Sequence, residues 1–207
     1  MSIYWAVIAD LVRSRSISAR GSLQADLERV LAGRNARDGG TLAAKWTITI
    51  GDEFQALFRS PRDIPFAIDE ICNATRPYYI RVGLGWGSLT TELKPVAIGM
   101  DGPCFHRARE ALEAARRAKR LAVVRTHGPV ADLASDVWNL ALTVAESRTA
   151  KQGLAVSAYR LTGRQEDVAR LLDVSQGTVS VDLRRARMAE VDPVLSHLGH
   201  LLEEAEA

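Results

Sequence analysis

The chain has 207 residues, 47% of them hydrophobic and 25% charged, and carries a formal net charge of +2. That balance is ordinary for a globular protein and excludes a low-complexity or polycationic chain, so any nucleic-acid contact must come from local clustering of charge. Cys72 and Cys104 stand alone, with neither CxxC nor Cys/His spacing, which argues against a disulfide framework and a structural zinc site.

The N-terminal stretch MSIYWAVIAD has no basic leader and reaches an acid early, and no apolar run approaches the roughly 20 residues of a membrane span. A cytoplasmic protein with no membrane partner is expected. Residues 3–9 (IYWAVIA) read as a strand buried on both faces and bounded by Asp10. The loop LVRSRSISAR (11–20) mixes serine with Arg13, Arg15 and Arg20. Leu23, Leu27, Val30 and Leu31 predict a helix over 22–34, with Ser22 as its N-cap and Gly33 as its stop. Residues 42–50 and 54–59 predict two strands joined by the turn Gly51-Asp52-Glu53. Residues 61–75 predict an amphipathic helix opening on Pro61. A strand over 78–89 carries glycines at 83, 85 and 87, which leave one face bare for something to approach closely. Helix 103–119, strand 121–127 and helix 130–148 follow.

The order β-α-ββ-α-β-α-β predicts an α+β domain over 1–128, ferredoxin-like or palm-type, with its helices on one face. Residues 129–150 would connect it to a small all-α domain at 151–207. In that second part, RQEDVARLLDVSQGTVSVDLRRAR (164–187) has the spacing of a helix-turn-helix. Ala169 sits where two helices must cross, Asp173 and Val174 make the turn, and Ser175 caps the second helix. Asp173 stands where glycine is commoner.

The acids at the sheet edge carry the candidate chemistry. With the first strand beside the hairpin, Asp10 approaches Asp52 and Glu53. Carboxylates this close repel unless protons or a cation neutralise them, and Mg²⁺ or Mn²⁺ suits such a set. The alternative is turn chemistry, with Arg13 or Arg15 as ion-pair partners. Arg13, Arg15, Asp101 and Arg109 are the candidate ligand contacts. The first two lie on a Ser/Arg loop able to cradle phosphate, and the others flank a helix N-terminus that offers free N–H groups. Arg107 and Arg109 point to different faces.

In the second part, Ser175, Gln176, Thr178 and Ser180 would face base edges, and Arg184 and Arg185 would reach phosphates. Residues 151–207 hold seven basic and nine acidic side chains, so a protein-interaction role stays open beside DNA binding. Readers of this kind bind DNA as dimers, and a homodimer is expected.

Three blocks, YWAVIADLVRSRSI, ITIGDEFQALF and IRVGLGWGSLTTELKPVAIGMDGPCFHRAREAL, occur in order over residues 3 to about 118. Together they resemble the SatD family, which is linked to acid tolerance. The same blocks are more distantly similar to class III nucleotide cyclases and diguanylate cyclases. That resemblance implies a ferredoxin-like palm with metal acids at Asp10 and on the hairpin, and a nucleotide ligand. Two positions depart from the cyclase pattern. Ile50 replaces the first glycine of the hairpin signature, and His106 and Glu110 stand where the cyclases carry Asn and Arg. The expected function is a DNA-binding transcriptional regulator whose first domain binds a nucleotide or phosphorylated ligand. The alternatives are a metal-dependent nucleotidyl cyclase or transferase with a C-terminal interaction domain, and a ligand-free palm used for dimerisation.

Overall fold

The first strand, β1 (Ile3–Leu11), is buried from Trp5 onward, as an uninterrupted apolar run requires. The computed structural model describes residues 2–12 and 20–205, so Arg13 and Arg15 lie outside the described residues. Helix α1 (Arg20–Arg37) leads through a 3-10 turn (Asp38–Gly40) into the hairpin of β2 (Leu42–Ile48) and β3 (Phe54–Phe58). Then come α2 (Ile64–Ala74), β4 (Ile80–Ser88), α3 (Pro103–Ala118) and β5 (Ala122–Arg125). The remaining helices are α4 (Val130–Glu146), α5 (Ala150–Thr162), α6 (Gln165–Leu172), α7 (Gln176–Arg185) and α8 (Met188–Glu204). No helix among the described residues is long and apolar enough to cross a membrane.

The architecture is mixed α+β around a five-stranded sheet in the order β2-β3-β1-β4-β5. β1 is antiparallel to both neighbours, with Ala9 opposite Phe54 on one side and Asp10 opposite Arg81 on the other. β4 and β5 are parallel, joined by α3.

The helices do not share one face, contrary to the sequence reading. Alternate residues of β1 feed two cores. Trp5, Val7, Ala9 and Leu11 pack with α1, α2, α4 and α8, whereas Ala6 and Ile8 pack with Cys104, Ala108 and Leu112 of α3. The glycines of β4 make the second layer possible. A Cβ on Gly83 would lie 2.2 Å from the Ala108 carbonyl oxygen, and one on Gly85 would lie 2.2 Å from the Ala108 nitrogen. The bare strip is therefore filled by the α3 backbone itself.

Two boundaries also move. α1 spans Arg20–Arg37, so Ser22 lies inside it, and it continues past Gly33. The side chains of Arg34 and Asn35 hold that last turn. Arg34 Nε donates to Asp38 Oδ2 at 2.9 Å, and Asn35 Oδ1 accepts from the Trp46 N–H at 2.8 Å. A mid-helix glycine costs only about 1 kcal/mol, which such contacts exceed.

The last helices divide their packing. α5, α6 and α7 enclose a small core of their own, including Val156, Val168, Ala169, Val179 and Leu183. α8 instead packs on α4 and α2 and buries Val191, Leu195, Leu198 and Leu202 in the main core. A buried ionic cluster ties these parts together. Arg148 Nη1 donates to both oxygens of Asp69 on α2 (3.0 and 2.9 Å), and Arg148 Nε donates to the Ala186 carbonyl at the end of α7 (3.0 Å). Arg160 bridges Asp69 (2.7 Å) and Asp192 of α8 (2.6 Å).

Candidate functional site

The register places the site. β1 runs past Ala9 to Asp10 just where the hairpin turns beside it. The turn is tight. Gly51 takes φ +65°, and the Thr49 N–H donates to the Glu53 carbonyl at 2.8 Å. Asp10 and Asp52 consequently line one cleft of about 600 Å³, together with Tyr79, Arg81, Arg116 and Lys119. Arg120 and Glu146 complete its charged wall.

Two of the acids at this edge meet arginines. Asp10 is 8% exposed, and its Oδ2 accepts from Arg116 Nε at 3.0 Å and Nη2 at 2.7 Å. Arg81 Nη1 stands 3.7 Å from the other oxygen, Oδ1, which is buried and accepts no hydrogen bond among the described residues. Glu53 takes both guanidinium nitrogens of Arg109, one at 2.6 Å. The Glu53 contact raises the Arg109 pKa. For Arg116 burial lowers it, but the bond from Asp10 and nearby carboxylates outweigh burial and raise it overall. Burial pushes the Glu146 carboxyl above its ordinary range, against the opposing pull of Arg76. Both thiols are pushed up by burial, Cys72 to about 12 and Cys104 to about 11, and are inert at neutral pH.

The donor set does not fit Mg²⁺ or Mn²⁺ in this arrangement. Such a cation needs several carboxylate oxygens facing one point. Here one oxygen of Asp10 is held by Arg116, both oxygens of Glu53 are held by Arg109, and two guanidinium groups stand at Asp10 itself. Among the described residues no three His, Cys, Asp or Glu side chains converge on one point.

The other candidates lie apart from the cleft. Asp101 pairs with His106 (2.7 Å) at the N-terminal end of α3, whereas Arg116 lies in its last turn. That separation is about 20 Å at 1.5 Å per residue. Arg107 is not a solvated surface group but donates to the Trp86 carbonyl at 2.6 Å. Sequence reasoning missed Arg81, Arg116, Lys119 and Arg120. The signal for Arg116 was its spacing of seven residues from Arg109, two helical turns along one face.

At the far end, α6 and α7 are joined by Asp173, Val174 and Ser175. Asp173 takes the left-handed conformation, φ 52°, that closes α6. Ser175 Oγ caps α7 by accepting the Thr178 N–H at 3.1 Å. Gln176, Gly177, Thr178, Ser180, Arg184 and Arg185 are exposed.

No curated protein matches this chain. Solved structures similar to it include the dimeric guanylyl cyclase domain of the RhoGC fusion protein from the aquatic fungus Blastocladiella emersonii. That match has 20% identity, covers 55% of this chain and 74% of that one, and has a TM-score of 0.40. A bacterial light-regulated adenylyl cyclase matches at 14% identity over 59% and 75% of the two chains, TM-score 0.39. A regulator of polyketide synthase expression from Bifidobacterium adolescentis matches at 15% identity over 99% and 85%, TM-score 0.27. The family model that matches is that of the SatD family, over residues 4–126, more than half of the sequence, and the chain belongs to that family.

Proposed function

We propose that this protein is a DNA-binding transcriptional regulator. In this reading α6 and α7 form a helix-turn-helix, and the Asp10 cleft of the sheet domain holds a nucleotide or other phosphorylated ligand. The observation that carries it is the division of α7 into two faces. Val179 and Leu183 turn inward, whereas Gln176, Thr178, Ser180, Arg184 and Arg185 stay exposed. In the usual docking the first turns of such a helix meet base edges and the cations near it meet phosphates.

The capping bond gives Ser175 and Thr178 a structural part as well. The Gln176 amide, which donates to Gln165 Oε1 at 3.2 Å, and the Ser180 hydroxyl are the groups left to read bases. Of the acids near this face, Asp173 in the turn and Asp182 on α7 enter no ion pair among the described residues, and the others are neutralised locally. Asp167 is paired with Arg170, and Glu166 lies 3.6 Å from Arg164, whereas Arg184 and Arg185 enter no ion pair among the described residues. A homodimer, the form in which most such helices address a two-fold site, belongs to the proposal.

The test is a salt titration of binding to duplex DNA. Arg184→Ala and Arg185→Ala should each lower the slope of log affinity against log salt by about 1, with unfolding unchanged. A slope that neither substitution moves overturns the docking.

A further inference from the structure

We infer that the cleft takes a phosphate-bearing ligand directly on its arginine and lysine side chains, with no divalent cation in between. The inference deepens the ligand-binding half of the proposed function and rests on it.

Three observations carry it. First, the position beside Asp10 that a cation would need is taken by a guanidinium, with Arg116 on Oδ2 and Arg81 behind Oδ1. A dication placed there would face two fixed positive charges at close range. Second, the cleft keeps cationic donors that nothing among the described residues occupies fully. Lys119 lines it and enters no ion pair among the described residues. Its backbone is fixed in the left-handed conformation that ends α3, φ 55°. Among the described residues the Arg81 side chain makes one hydrogen bond, from Nε to the Arg120 carbonyl at 3.3 Å, and only a loose 3.7 Å ion pair to Asp10. Third, Asp10 Oδ1 is a buried carboxylate oxygen without a hydrogen bond among the described residues, in a residue only 8% exposed.

A buried acceptor of this kind calls for a donor. Together these groups ask for a ligand that brings an anion for Lys119 and Arg81 and a hydroxyl or N–H for Asp10 Oδ1. A phosphate ester with a neighbouring hydroxyl meets both demands, and so does the protonated form of inorganic phosphate. Tyr79, 45% exposed, adds a ring against which a base can lie, so a nucleotide gains a contact that a sugar phosphate lacks.

The experiment is calorimetric titration of the full chain with inorganic phosphate, ribose 5-phosphate and ATP, first in excess EDTA and then with millimolar Mg²⁺ or Mn²⁺. We expect saturable binding in EDTA with an affinity that the metals leave unchanged. The order of the three probes tells a nucleotide site from a site for the phosphate alone. Lys119→Gln, at an exposed position, should weaken binding about tenfold without shifting the unfolding temperature of the free protein. Binding that appears only with metal and is lost in Asp52→Asn overturns the inference and leaves the ligand reading standing. No binding of any probe in either buffer overturns both.

Discussion

Arg109 and Arg116 lie two turns apart on α3, and each answers one acid at the sheet edge, Glu53 and Asp10. The acids themselves were legible in the sequence, because a strand ending in Asp10 and a hairpin tip carrying Asp52 and Glu53 must meet if the strands are neighbours. Arg109 was singled out, but its pairing with Glu53, and Arg116 altogether, were not, because their face of α3 depends on how the helix lies on β4, a contact between segments distant in sequence. Asp173 shows the same limit from the other side. Its place in a turn was readable, whereas its left-handed backbone, φ 52°, was not. A residue without a Cβ relieves that conformation, so Asp173→Gly should raise stability by about 0.5–1 kcal/mol in denaturant melts. Glu146 yields a prediction in pH. Its folded-state pKa is raised above the ordinary 4.5, so the folded state binds its proton more tightly than the unfolded state does. Stability is therefore lost as pH climbs from about 4.5 through the folded-state value, and the penalty is fully present above it. Glu146→Gln should make the protein more stable at neutral pH and flatten that fall, as followed by urea midpoints across a pH series.

At the scale of elements, the governing contact is α3 on β4. Three alternate glycines in a strand signal a close approach, but not the identity of the approaching group, since a ligand and a helix leave the same blank strip. The fold gives the strip to the helix backbone, and with it a second helical layer that the expected one-sided arrangement lacked. Gly85→Ala puts a methyl group 2.2 Å from the Ala108 nitrogen and 2.3 Å from the Cys104 carbonyl oxygen. Neither atom can yield without moving the helix, so the cost should be about 3 kcal/mol or more in equilibrium unfolding. The loss should also reach the cleft, because Arg116 rides on the same helix.

For the whole molecule, the chain order suggested two parts in sequence, and the packing interleaves them. α8 sits last in the chain, yet four of its aliphatic side chains complete the core against α2 and α4. The hydrophobic pattern of α8 was readable, but its partner was not, because an amphipathic helix does not name the surface it covers. Burying those side chains contributes roughly 6–12 kcal/mol, comparable to the whole stability of a domain. A chain ending at residue 150 should therefore fail to unfold cooperatively by circular dichroism, whereas an autonomous sheet domain would keep a sharp transition. The Asp69–Arg148–Arg160–Asp192 cluster spans the same seam, so α5 and the end of α7 are tied to α2 through buried charge.

The central claim, that α7 reads DNA, is tested most directly by selection of duplexes from a random-sequence pool with the full-length protein. Enrichment of a defined sequence by the wild type is expected, with loss of that enrichment, and folding intact, in Gln176→Ala/Ser180→Ala. A pool that stays unenriched, or one enriched equally by the substituted protein, would contradict it.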